Sequence, residues 1–173
     1  MPMSTDSDKD WSPDLKAIED RLLTNESPTT IARDAHDLLD KISEDSPHRP
    51  CALRLLGIAF NRCREPDKAL ALLHQARQKA IEQQNLAEIV AAGREIAVVH
   101  SWRGEDRDAA LALLRAVAAA YLHDNTAATT RALGEAGRIE LEARRFDEAE
   151  RLFRLMADRK PQPLDPYQFF RIQ

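Results

Sequence analysis

The sequence predicts an all-α fold in which antiparallel helix hairpins stack side by side into an α-solenoid. Three observations carry that expectation. Ala69, Ala109 and Ala149 stand forty residues apart, and a matching pattern of small and large apolar residues surrounds each. No stretch alternates apolar and polar residues as a half-buried strand would. Serine or aspartate precedes proline at Ser12-Pro13, Ser27-Pro28, Ser46-Pro47 and Asp165-Pro166, which sets an N-cap oxygen before a residue whose fixed φ and missing N–H suit the first helical turn. A helix pair of this size cannot hide its apolar stripe alone, so it gains stability by stacking on its neighbours.

In chain order, residues 1–11 are dominated by Ser, Asp and Lys without apolar periodicity, which predicts a disordered tail. Leu15, Ile18 and Leu22, then Ile31, Ala35, Leu38 and Leu39, recur at helical spacing and make 12–45 a capping pair. The first repeat, about 50–84, runs Leu56, Gly57 and Phe60, breaks at Arg64-Glu65-Pro66, and continues with Ala69, Leu73 and Ala76. The second, about 85–124, has Ile96, Ala97 and His100, a break at Arg103-Gly104-Glu105-Asp106, then Ala109, Leu113 and Ala116. The third, about 125–160, has Ala136, Gly137 and Glu140, a break at Arg144-Arg145-Phe146, then Ala149, Phe153 and Met156. Small residues at 57, 97 and 137, and at 69, 109 and 149, let paired backbones approach closely. Pro161-Gln162-Pro163 ends the last of about eight main helices in a single repeat domain, 12–160. Residues 161–173 follow as a short apolar capping or docking segment, in which Tyr167, Phe169, Phe170 and Ile172 need cover.

Leu56-Gly57, Phe60, Ala69, Leu73 and Ala76 resemble, in order, the signature positions of the tetratricopeptide repeat (TPR) family. Gly137, Phe146, Ala149 and Phe153 repeat much of that pattern, whereas the middle copy departs from it at His100 and Asp106. The resemblance spans roughly Pro50 to Lys160 and has a longer period than the family's usual 34 residues. Six more residues per pair add about 9 Å of helix in total, which resembles the long-helix versions in bacterial regulators and motor-protein light chains. What the resemblance implies is a TPR-like right-handed superhelix, acting as a scaffold or adaptor that binds a segment of another protein in its concave groove.

If the first helix of each pair lines that groove, as in the family, the positions are Arg54, Ile58, Asn61 and Arg62, then Arg94, Val98, Ser101 and Trp102, then Arg131, Arg138 and Leu141. Five arginines with an aromatic among them suit an acidic peptide carrying an apolar anchor, because a guanidinium offers a planar fork to carboxylates and stacks on rings. The competing expectation is that Arg94 and Arg138 pair with their own neighbours, such as Glu95 and Glu135. Ile58, Glu95 and Glu135 stand where the family's chaperone-tail clamp would need other residues, so that ligand is not expected.

Charge divides along the chain. The net charge is −4, but residues 1–46 hold twelve acidic against five basic side chains, leaving the array mildly basic. A sequence pI of about 5.8 with few lysines does not suit a nucleic-acid binder. No apolar run is long enough to span a bilayer and no basic-then-apolar leader opens the chain, so no membrane association and a cytoplasmic location are expected. Cys51 and Cys63 fall on one predicted helix about 18 Å apart, too far for a disulfide, and are expected as reduced thiols.

The histidines at 36, 48, 74, 100 and 123 are scattered, and the five glycines never form a phosphate-cradling loop. The expectation is therefore no catalytic residues, metal or cofactor, and no enzyme. An alternative reading makes the chain a sensor or dimerisation module, resembling the input halves of bacterial signalling proteins such as diguanylate cyclases and transcription regulators. In that case the tail around Tyr167, Phe169 and Phe170 would dock on a second copy to give a homodimer.

Overall fold

The computed structural model describes residues 9–109, 112 and 126–158. Seven helices are defined among them: α1 (Ser12–Leu22), α2 (Pro28–Leu39), α3 (Arg49–Arg62), α4 (Pro66–Glu82), α5 (Leu86–Trp102), α6 (Thr126–Glu142) and α7 (Phe146–Asp158). A further helical turn covers 106–109, and the described residues contain no strand. Consecutive helices pack together from α1 to α5, as do α6 and α7. The first helices of successive hairpins also touch, α1 on α3, α3 on α5 and α5 on α6, which makes them one continuous wall. No helix among the described residues is long and apolar enough to cross a membrane.

From α4 onward the array keeps a beat of twenty residues, half the period visible in the alanines. Helices begin at residues 66, 86, 126 and 146, and α4, α5 and α6 are each 17 residues long. Between them, Arg64, Gln84, Gly104 and Arg144 take positive φ of 63°, 55°, 73° and 59°. Each is followed by a residue whose N–H reaches back into the ended helix: Glu65 to Phe60 O, Asn85 to Ala80 O, Glu105 to His100 O and Arg145 to Glu140 O, at 2.8–3.0 Å. That is the Schellman closure, which satisfies orphan carbonyls at a helix end and turns the chain back.

Prolines start the early helices, though not with the expected caps. Pro28 and Pro66 open α2 and α4, while Pro13 and Pro50 lie one residue inside α1 and α3. The Ser27 hydroxyl pairs with Thr29 at 2.8 Å instead of capping, and Ser12 is itself helical, held by Asp10 Oδ1 at 2.9 Å. Ser46-Pro47 precedes a turn, and α3 starts only at Arg49. Asn85, whose Oδ1 accepts from Glu88 N at 3.2 Å, caps α5. Trp11, inside the segment expected to be a tail, is 4% exposed and joins Leu15, Ile18 and Ile31 in the core. An indole that large gains too much by burial to stay in water, and Lys9 stacks over its ring at 3.6 Å.

The interior is passed from hairpin to hairpin. One cluster joins α1, α2 and α3 with Ala76 and Ala92. A second links Ala69 and Leu73 of α4 to Ile96 and Val99 of α5. A third takes Ala97 of α5 with Ala109, then Leu133, Ala136 and Ile139 of α6 and Leu152 of α7. Adjacent residues Ile96 and Ala97 thus serve different neighbours, as stacking of incomplete pairs requires. The close approaches fall where small residues recur: a Cβ on Gly57 would lie 2.8 Å from Leu73 Cγ, and one on Gly137 2.8 Å from the Phe153 ring.

Candidate functional site

The wall of α3, α5 and α6 carries the arginines expected to line a groove, and they have different surroundings. Arg54 is 9% exposed. Its Nε and Nη2 donate to both oxygens of Glu88 at 2.7 and 3.2 Å, with Glu19 at 3.9 Å, so it ties α1, α3 and α5 together from within. Arg62 donates to the carbonyls of Leu22 and Thr24, the latter at 3.0 Å, and closes the C-terminal end of α1. Arg49, not singled out by sequence, does the same for α2 through the Leu39 and Ile42 carbonyls at 3.0 and 2.6 Å. These cations offset the partial negative charge at helix C-termini, and Asn61 lies partly buried beside Arg62. Both Arg54 and Arg62 are thus engaged inside the array and do not present free guanidinium groups on an open wall.

Arg94, Trp102 and Arg138 come together. They line a pocket of about 80 Å³ between α5 and α6, together with Ala97, Val98, Ser101, Glu135 and Ile139. The Trp102 side chain, at the last position of α5, is 70% exposed. Arg94 Nε makes a single contact of 3.3 Å to Glu135 across the two helices, both side chains being 33% exposed. Arg138 pairs one turn along α6 with Glu142 at 2.5 Å, in a pair exposed on both sides. Burial raises the carboxyl of Glu95, next to Arg94, above the usual glutamate range, against the pull of Arg94 and Arg54. The pocket is therefore a small, mainly polar recess between two cations and an indole, with one carboxylate already in its lining. The side chain of Arg131, and Tyr167, Phe169 and Phe170, lie outside the described residues.

Other clusters have less to offer a ligand. Ligand atoms of His100, Glu105 and Asp108 lie within 4.8 Å of one another. However, His100 Nδ1 already meets Glu105 at 2.7 Å and Arg103 takes the other Glu105 oxygen at 2.8 Å. The trio also sits where a new helix begins, whose dipole disfavours a cation. A hollow of about 230 Å³ on α7, lined by Asp147, Glu150, Arg151, Arg154 and Leu155, is the solvent face of one helix, with Arg151 and Arg154 paired to their own glutamates. Cys51 and Cys63 are both free, and burial pushes the Cys51 thiol up to about 11, which keeps it protonated and unreactive.

No family model matches the sequence, and no curated protein matches it. Among solved structures, the chain is similar to a Podosopora anserina protein described as kinesin light chain with nearly identical TPR-like repeats. The TM-score is 0.72 at 15% identity, over 94% of this chain and 80% of that one. At that identity the likeness speaks for architecture, and it agrees with the stacked hairpins: the chain has the TPR-like helical-repeat fold.

Proposed function

We propose that this chain is a non-enzymatic adaptor that holds a segment of a partner protein on the wall formed by α3, α5 and α6, and that the segment is acidic with one apolar anchor. The observation that carries this reading is the pocket at which Arg94, Trp102 and Arg138 converge over Ala97 and Ile139. An exposed tryptophan beside arginines is the composition of binding hot spots, and an exposed indole flanked by cations favours a guest that brings carboxylates around a hydrophobic side chain. Arg54 and Arg62 tie neighbouring helices together behind this wall. The TPR-like fold favours a scaffold, and two free thiols fit a reducing, cytoplasmic setting.

Selection of a displayed random-dodecapeptide library on the immobilised protein tests the reading. Acidic sequences containing an aromatic or aliphatic residue should be enriched. Trp102→Ala, and Arg94→Glu with Arg138→Glu, should abolish their capture while circular dichroism stays unchanged. Enrichment of basic or purely apolar sequences, or capture that survives these substitutions, rejects it.

A second reading, assembly through the C-terminal end, rests on the apolar residues Tyr167, Phe169 and Phe170. A sensor or dimerisation module would use that segment against a second copy. Deleting residues 164–173 should then lower the mass seen by light scattering, and an unchanged mass counts against it.

A further inference from the structure

We infer that Glu135 is a built-in competitor for this groove: its carboxylate holds, on Arg94, the place a partner's carboxylate would take, so that an acidic segment gains Arg94 only by displacing it. This rests on the groove reading given above and adds the feature that sets how tightly an acidic partner is held.

The geometry of the pairs separates a structural ion pair from a replaceable one. Arg54 and Glu88 meet through two hydrogen bonds and are 11% and 15% exposed. Most of their surface left water on folding, and parting them would strand two buried charges. Arg94 and Glu135 meet through one long contact at 3.3 Å, and each keeps a third of its side chain in water. A carboxylate so placed can swing into solvent at small cost, and a guest carboxylate can then bind the Arg94 fork. Arg138 is different again, since Glu142 lies one turn along the same exposed helix and stands away from the pocket lining.

Two consequences follow from a carboxylate at the pocket's edge. It repels an incoming acid until exchange occurs, which weakens every acidic guest. It also keeps Arg94 neutralised when the guest has no acid, so a neutral apolar segment covers a paired charge and not a bare cation. Glu135 therefore raises the threshold for an acidic guest and softens the penalty on a neutral one. Glu135→Gln keeps the shape and removes the charge, so it should both tighten acidic peptides and sharpen the demand for an acid.

The experiment selects the same random-dodecapeptide library on wild-type protein and on E135Q, then measures the best acidic peptide from either selection on both proteins by fluorescence polarisation. The expected result is about fivefold tighter binding to E135Q, a change of less than about twofold for Glu142→Gln, and loss of the E135Q gain when Arg94→Gln is added. Neutral apolar sequences should be depleted from the E135Q pool, because they would cover an unpaired Arg94. Acidic peptides enriched by E135Q alone would show strong competition and support the inference. Binding to wild type that is equal or weaker in E135Q would overturn the inference while leaving the groove reading standing. No acidic peptide from either protein would reject the groove reading, and the inference with it. Thermal unfolding of E135Q separates the two roles of Glu135, because a mere tether between α5 and α6 lowers the melting temperature without tightening any peptide.

Discussion

Arg54 and Glu88, on the first helices of neighbouring hairpins, grip each other through both carboxylate oxygens at 2.7 and 3.2 Å in a place almost closed to water. Such a pair is costly to break from one side, because the surviving charge stays buried without its partner. Glu88→Ala should lower the unfolding free energy by about 3 kcal/mol. Arg54→Met combined with Glu88→Leu should return to within about 1 kcal/mol of the parent, because both charges leave together. Urea denaturation of the two variants measures this, and a mild Glu88→Ala phenotype would show that the pair is solvated in solution.

Two of the helical glycines, Gly57 and Gly134, should respond in opposite directions to the same substitution. Alanine is the better helix former by roughly 1 kcal/mol. At Gly57, however, the added methyl lies 2.8 Å from Leu73 Cγ and 3.3 Å from the Ala69 carbonyl, and Leu73 has no room to retreat because it is fully buried. Gly57→Ala should therefore cost about 2 kcal/mol net. At Gly134 the nearest atom is Met156 Sδ at 3.4 Å, an ordinary contact on a flexible side chain. Gly134→Ala should stabilise by roughly 0.5 kcal/mol, and thermal melts of the pair give both signs in one experiment.

How much of this could be read from the sequence depends on the residue. The forty-residue spacing of Ala69, Ala109 and Ala149 fixes which faces meet, because small residues recur only where backbones approach, and all three are buried. Arg94, Trp102 and Arg138 could be placed near one another because Arg94 and Trp102 lie eight residues apart on one face of α5, and Arg138 stands on the next first helix at the register of Val98, between them. Arg54 could not be read the same way, although a signal was present. It stands in Ala52-Leu53-Arg54-Leu55-Leu56, a run otherwise apolar, and a stretch buried all round forces the one cation within it inward to a partner. Which glutamate answers it, thirty-four residues on, is a tertiary fact with no local signature. Trp11 was hidden for the reverse reason: its neighbours are those of a tail, while its own size draws it into the core.

The turns offer a test of backbone strain. Arg64, Gln84 and Arg144 hold the left-handed conformation that Gly104 holds at the matching place. A side chain there costs about 1 kcal/mol that glycine avoids. Arg144→Gly should raise stability by roughly 0.5–1 kcal/mol, and Gly104→Ala should lower it by a similar amount, about 1 kcal/mol. Nothing lies within 4 Å of a Cβ at Gly104, so its loss would report the backbone alone. Equal stability of Gly104→Ala and the parent would mean that the turn relaxes to another shape.

Glu95 gives a pH dependence with a definite sign. Burial is the main cause that holds its carboxyl above the ordinary value of 4.5, with Arg94 and Arg54 pulling the other way. The folded chain therefore keeps this proton more tightly than the unfolded chain does. The resulting contribution to stability is fully present below pH 4.5 and is lost as pH rises through the higher folded value. Glu95→Gln removes that slope, because an amide has no proton to lose. The variant should match the parent near pH 4 and exceed it at neutral pH, where the parent carries a buried carboxylate. Urea midpoints measured across that range check this. Parallel curves for the two proteins would mean that Arg94 and Arg54 compensate the buried charge fully, whereas convergence on the acid side alone would place the cost of folding this wall on Glu95.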